Sequence, residues 1–330
     1  MDRAIKITAV ILTLVFSIFS FQVSAENKDI PSAQSLGMQE LKDDLSRQEL
    51  FEEVINSDSA SKKAHKSFVL ENRFTFPGDA QKERATGNDR LNSIFGVDIS
   101  HHNDTDFPIE QLNAFQAEFI YIKSTQGVTR VDPMFGVFWK RAGAIEKGVK
   151  LHRGAYHFLS SGNTSDDPRE FGKAQAKSLV KVIKANGGLK PTDMPPSVDV
   201  EWDKADEKAP DRWKNRKPDE IISMVKAFSD QIEKDLGIKP IIYTAKSWWL
   251  ERVGSEARMS EFSGNKLWIA DYSKSSQADE TPKTINSKPW LIWQFTESAR
   301  LNIGYDKNLD ASIYKGERDS FYSSMGVQRF

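Results

Sequence analysis

A regular alternation in the second two-thirds of the chain does most to limit its fold. Short apolar runs at residues 94–100, 118–124, 151–158, 196–201, 240–244, 267–271, 290–295 and 308–313 read as strands. Helical patterns separate the early ones. Pro108 opens one helix, and residues 134–147 form another that stops at Gly148. Pro168 opens a third, with Phe171, Ala174, Leu179, Val182 and Ile183 near one face and Asn186-Gly187-Gly188 as its stop. Pro218 opens a fourth, carrying Ile221, Ile222, Val225, Phe228, Ile232 and Leu236, and Gly237 ends it. Pro supplies a fixed φ where the first helical N–H has no partner, and Gly supplies the left-handed turn after the last residue. Strands alternating with helices imply parallel pairing, because each crossover returns the chain to the same end of the sheet. Eight strand candidates suit a closed α/β fold, a (β/α) TIM-like barrel. The last strands are joined by short, weakly helical segments, so that part of the ring has reduced helices. A doubly wound open sheet is the alternative. It loses support because neither GxGxxG nor a P-loop follows a strand.

Upstream, Arg3 and Lys6 precede an uncharged, mostly apolar stretch, and Val23-Ser24-Ala25 places small residues before Glu26. Residues 1–25 therefore read as a secretory signal peptide cut after Ala25, with an uncleaved anchor as the alternative. No later stretch is apolar and long enough to cross a membrane. Residues 26–93 read as a polar, partly helical extension, with 79–89 as a linker and 41–55 carrying a helical spacing. Residues 94–318 form the main domain and 319–330 a tail. The expected location is periplasmic or extracellular. Cysteine is absent, which excludes disulfides, thiolate metal sites and a Cys nucleophile. The 46 Lys+Arg against 47 Asp+Glu give a net charge of -1, which argues against a nucleic-acid partner.

In such a barrel, chemistry gathers at the C-terminal ends of the strands. Those ends carry Asp98, then Tyr156-His157, then Asp199-Val200-Glu201, and late in the chain Asp310. Asp199 and Glu201 are two apart on one strand, so both face the same side. Two inward acids are costly to bury without a task or partners. Close acids also raise the proton affinity of one of them, which yields a neutral acid beside an anion. Cleaving a glycosidic bond needs that pair: a proton donor and a negative stabiliser. The bland alternative is a solvated strand end with two ordinary acids. Tyr156 and His157 alternate faces, so only one points inward. The aromatics Tyr156, Trp202, Tyr243, Trp268, Tyr272 and Trp293 suit stacking on sugar rings, or simply a core. His101-His102 with Asp104 and Asp106 lacks recognised ligand spacing, so neither a metal nor another cofactor is expected. The basic run at 212–217 reads as solvated surface. A nucleophile elbow, G-x-S-x-G, is absent.

Seven of these segments, taken in order, resemble glycoside hydrolase family 25, the Chalaropsis-type lysozymes or N-acetylmuramidases. They are Phe95-Gly96-Val97-Asp98-Ile99-Ser100, Phe119 through Gly127, Asp132-Pro133-Met134-Phe135, Gly154-Ala155-Tyr156-His157-Phe158, Asp199-Val200-Glu201, Leu267-Trp268-Ile269-Ala270 and Trp293-Gln294-Phe295. The resemblance implies a (β/α) barrel that cleaves the β-1,4 bond between N-acetylmuramic acid and N-acetylglucosamine in peptidoglycan. It implies Glu201 as proton donor and Asp199 as support for the reaction centre, orienting the substrate's own acetamido group as nucleophile. Asp98 and Asp310 complete the catalytic set. Lys123, Tyr156, Tyr243, Trp268, Asp271, Trp293 and Gln294 are the implied substrate contacts, and the protein is expected to be monomeric. Three positions depart from the family pattern: His101–Asp104 where a Gln is usual, Gln126 for a Glu, and Ser312 for an Asn. Asp306 is the alternative to Asp310, which is preferred because Tyr314-Lys315-Gly316 then follows at the family's spacing. The competing functions are a non-catalytic peptidoglycan-binding module and a hydrolase of another acetamido-glycan such as chitin.

Overall fold

The structure, a computed structural model, describes residues 73–205, 209–272, 278, 281–305 and 307–330. The leader, the 26–72 part of the extension with its 41–55 helix, and Asp306 lie outside the described residues. The strands are β1 (Thr75–Phe76), β2 (Ser93–Ile99), β3 (Ala117–Gln126), β4 (Arg130–Val131), β5 (His152–Phe158), β6 (Ser197–Val200), β7 (Ile241–Ala245), β8 (Leu267–Ala270), β9 (Ile292–Leu301) and β10 (Leu309–Lys315). The helices are α1 (Gly78–Gln81), α2 (Phe135–Ala142), α3 (Pro168–Ala185), α4 (Pro218–Leu236), α5 (Lys246–Arg252) and α6 (Arg318–Met325). Strands pair in the order β2-β3-β5-β6-β7-β8-β9-β10, and β10 returns to β2, which closes the barrel. β4 folds back on β3 as a hairpin, and β1 adds to β9 from outside the ring.

The long helices form where the Pro and Gly signals place them. Asp167 caps α3 by accepting from the Glu170 amide at 2.9 Å, and Gln175, Ala176, Leu179, Val180 and Ile183 bury one face. Glu220 accepts from the Lys217 amide at 2.9 Å at the start of α4, and Gly237 ends it at φ +73°. α3 and α4 pack closely because position 172 is Gly: a Cβ there would lie 2.3 Å from the Met224 carbonyl oxygen.

Several details differ from the expectation. β10 runs antiparallel to both β9 and β2. The connection 302–308 is shorter than the dozen or so residues a parallel crossover needs, so the chain turns back directly. The helix expected after Pro108 is only a 3₁₀ turn, Ile109–Gln111. The 134–147 helix ends at Ala142 with Gly143 as its C-cap, and only a 3₁₀ turn, Ile145–Lys147, follows before Gly148. The 79–89 segment is not a free linker. Its start is α1, Asp79 accepts from the Thr75 amide at 2.7 Å, and Lys82 bridges to Asp89. Phe74 and Phe76, just before it, are fully buried against Phe95 and Phe295. The tail carries α6, whose Phe321 and Met325 are buried.

Candidate active site

Two-residue periodicity sorts each strand into an inner and an outer face. Register then links the inner faces: Asp310 opposes Asp98, Asp98 pairs with Tyr121, and Tyr121 with Gly154. Lys123 pairs with Tyr156, and Tyr156 with Ser197. Asp199 pairs with Tyr243, Tyr243 with Trp268, and Ala270 with Gln294. Asp98, Tyr156, Ser197, Asp199, Tyr243 and Trp268 line one pocket. Glu201 follows directly on β6 with the parity of Asp199, and the two carboxylates are 2% and 5% exposed. Val198 and Val200 face the helix layer.

A side-chain network ties the far strands to Asp98. Gln294 Nε2 donates to Asp98 Oδ2 at 2.8 Å. The Gln294 Oε1 accepts from Tyr243 Oη at 2.6 Å and from Tyr272 Oη. Trp268 Nε1 donates to Ser312 Oγ at 3.0 Å, which stitches β8 to β10 through the interior. Tyr121 Oη donates to the Pro195 carbonyl at 2.9 Å, and its ring meets Trp268 at 4.7 Å.

The other expected residues are distributed as follows. Lys123 is buried on β3 with its Nζ 5.2 Å from the Phe158 ring. Asp271 follows β8, and its Oδ2 accepts from the Lys283 amide at 2.7 Å. Asp310 is half-buried opposite Asp98. Trp293 is the correction to the expected substrate contacts. It lies on the opposite face of β9 from Gln294, is 0% exposed, packs on Phe295 and donates from Nε1 to the Asp271 carbonyl at 3.0 Å. Adjacent strand residues cannot share a face, so Trp293 belongs to the outer core.

His157 also faces outward. Its Nδ1 lies 2.7 Å from Thr125 Oγ1 and its Nε2 lies 3.2 Å from Gln175 Oε1. Burial pushes it from its ordinary 6.5 down to about 3, outweighing the Gln175 contact. His101 Nδ1 sits 2.6 Å from Asp132 Oδ2, and Asp132 also accepts from the His101 and Met134 amides. Asp132 thus anchors the turn after β2. Among the described residues, no group of three or more His, Asp or Glu is arranged for a metal ion.

Sequence reading missed the clamp behind Glu201. Asp203 Oδ2 accepts from the Ser161 amide and hydroxyl, each at 2.9 Å, and its Oδ1 accepts from Arg212 at 2.8 Å. Asp211 accepts from the Asp203 amide at 2.9 Å and from Arg252 Nε at 2.5 Å. Burial raises Asp211 above the usual carboxylate range, with the Arg252 hydrogen bond the largest opposing effect. The signal was present in the acids that follow Glu201, but their partners lie on other elements.

A closed, mostly parallel barrel with carboxylates at the C-terminal strand ends is the architecture of a glycosidase-type site. The model for glycosyl hydrolases family 25 matches residues 97–302, and the chain belongs to that family. It is 24% identical over 207 residues to the uncharacterized protein YegX of Escherichia coli O157:H7, which covers 63% of this chain and 62% of that protein. The chain thus spans less than two-thirds of that relative's length. It is 29% identical over 168 residues to an N,O-diacetylmuramidase of Chalaropsis sp, covering 49% of this chain and 71% of the other. The solved muramidase from Trichobolus zukalii superposes with a TM-score of 0.54 at 26% identity, over 71% of this chain and 99% of that one.

Proposed function

We propose that this chain is an exported peptidoglycan hydrolase, a 1,4-β-N-acetylmuramidase acting on MurNAc–GlcNAc bonds. The observation that carries the reading is the pair Asp199 and Glu201, buried on one side of the end of β6 beside a pocket lined by Tyr156, Tyr243 and Trp268. The family membership and the likeness to the Chalaropsis N,O-diacetylmuramidase support it.

Glu201 protonates the glycosidic oxygen as the C1–O bond breaks. The acetamido oxygen of the same sugar, oriented by Asp199, closes on C1. The Glu201 carboxylate then takes a proton from the water that reopens the ring. Asp98 and Asp310 hold the cleft wall opposite, and the aromatic rings accept the sugar faces. The reaction needs no metal or other cofactor. The enzyme acts as a monomer on glycan strands outside the cytoplasm, after a leader at 1–25 is removed. Among the described residues no helix is long and apolar enough to cross a membrane.

The test is mass spectrometry of digested sacculi. Fragments with new reducing N-acetylmuramic acid ends are expected from the native protein and not from Glu201→Gln or Asp199→Asn. Full activity in Glu201→Gln rejects the assignment. Release of chitin fragments alone moves the substrate to another acetamido-glycan, and sacculus binding with no new ends identifies a binding module.

A further inference from the structure

A second cavity lies at the opposite pole of the barrel. It is lined at the N-terminal starts of β3 and β5, by Glu118 and His152, by Arg318 and Tyr322 of α6, and by Arg329 beyond that helix. The proposed catalytic carboxylates sit at the C-terminal strand ends, so the barrel wall separates the two.

Its lining combines three chemistries. Lys150, Arg318 and Arg329 supply cations against the single carboxylate of Glu118. Lys150 makes no ion pair among the described residues. Arg318 pairs with Glu118 and Arg329 with Asp319, but these are exposed pairs, which are weak and open to exchange with a ligand carboxylate. Aromatic faces are clustered beside them: His152 lies 4.6 Å from the Phe330 ring and 5.4 Å from the Tyr322 ring. His152 Nδ1 meets the Thr192 carbonyl at 2.8 Å, so it carries the proton and leaves Nε2 as an acceptor. Burial lowers the His152 pKa, against the Thr192 carbonyl and Asp193, which raise it. Gln116 adds an exposed amide from a backbone held at φ +67°, a region that side-chain-bearing residues rarely occupy.

The exposed Phe330 ring for a sugar face, an amide for hydroxyl and acetamido groups, and cations for carboxylates together fit an acidic acetamido-glycan. We propose that this cavity is a non-catalytic anchoring site for a second strand of peptidoglycan. The inference rests on the muramidase reading for its choice of glycan. It also answers a problem of charge. A net charge of -1, or -2 after loss of Arg3, Lys6 and Asp2 with the leader, gives no long-range attraction to an anionic wall. A local basic cavity does. Because it faces away from the cleft, it cannot extend the bound strand and must hold a neighbouring one. Its gain is therefore one of effective concentration within a cross-linked network.

The experiment measures two substrates with Lys150→Glu/Arg329→Glu, both exposed positions outside the cleft. Co-sedimentation with intact sacculi, done in the Glu201→Gln background so that nothing is cleaved, is expected to weaken about tenfold. Cleavage of a soluble peptidoglycan tetrasaccharide by the double variant with native Glu201 is expected to stay at the level of the native chain. Unchanged sacculus binding overturns the anchor, including the case in which this face binds a protein. An equal fall in both assays overturns it too, because the two poles are then not independent. If the native chain releases no reducing ends from either substrate while the double variant still loses sacculus binding, the anchor stands and the muramidase reading fails.

Discussion

Gln294 and Asp98 lie 196 positions apart and meet at 2.8 Å, amide to carboxylate, on the inner face of the barrel. The contact exists because the ring closes: β9 and β10 bring the end of the chain back beside β2. The amide is fixed from its other side by two tyrosine hydroxyls, from β7 and from the turn after β8. Its NH₂ group therefore points at Asp98 and not away, and Asp98 is held as an acceptor facing the pocket.

The two halves of that amide are separable. Gln294→Leu removes the acceptor for both tyrosines and the donor for Asp98, and is expected to cost about 1–3 kcal/mol in urea unfolding. Gln294→Glu restores an acceptor for the tyrosines but sets a carboxylate against Asp98. Stability should recover in part, while kcat on sacculi stays about 100-fold down because the carboxylate is displaced. Equal activity in Gln294→Glu and the native protein would show that Asp98 needs no positioning.

Arg252 and Asp211 form a buried pair at 2.5 Å behind the Glu201 segment. Arg252→Met leaves the Asp211 charge in a dry site and is expected to destabilise by about 3–5 kcal/mol. Adding Asp211→Asn should return part of that loss. Thermal unfolding of the single and double variants measures both, and additive losses would rule out direct coupling.

His157 makes stability depend on pH. Burial holds it at about 3 in the folded chain against an ordinary 6.5. Above pH 6.5 both states are neutral at this site and its stabilisation is complete. Below 6.5 the unfolded chain takes up a proton that the native one refuses. Stability therefore falls by ~1.4 kcal/mol per pH unit from this group until the folded value is reached. His157→Gln should flatten the melting temperature between pH 6.5 and about 3. An equally steep curve in the variant assigns the loss to other groups.

Gly154 makes room for Tyr121. A Cβ at 154 would lie 2.2 Å from the ring, which cannot swing away while its hydroxyl bonds the Pro195 carbonyl and its face meets Trp268. Gly154→Ala is expected to cost about 1–3 kcal/mol through overpacking and to disturb Trp268 in the pocket. Unfolding at an unchanged midpoint would mean that the interior has slack.

The sequence by itself determined what is periodic or local. Strand alternation places Asp199 and Glu201 on one side, and Pro168, Pro218 and Gly237 bound the two long helices. These follow from backbone geometry within a few residues. The same alternation already separates Trp293 from Gln294, but only the partners of β9 decide which one faces the pocket. Tertiary structure also decided the direction of β10, the packing of Phe74 and Phe76 on the outside of the ring, and the clamp of Asp203 and Asp211 with Ser161, Arg212 and Arg252. Each depends on residues far apart in the chain. Local propensity carries no information about such pairs, and they become neighbours only when the barrel closes.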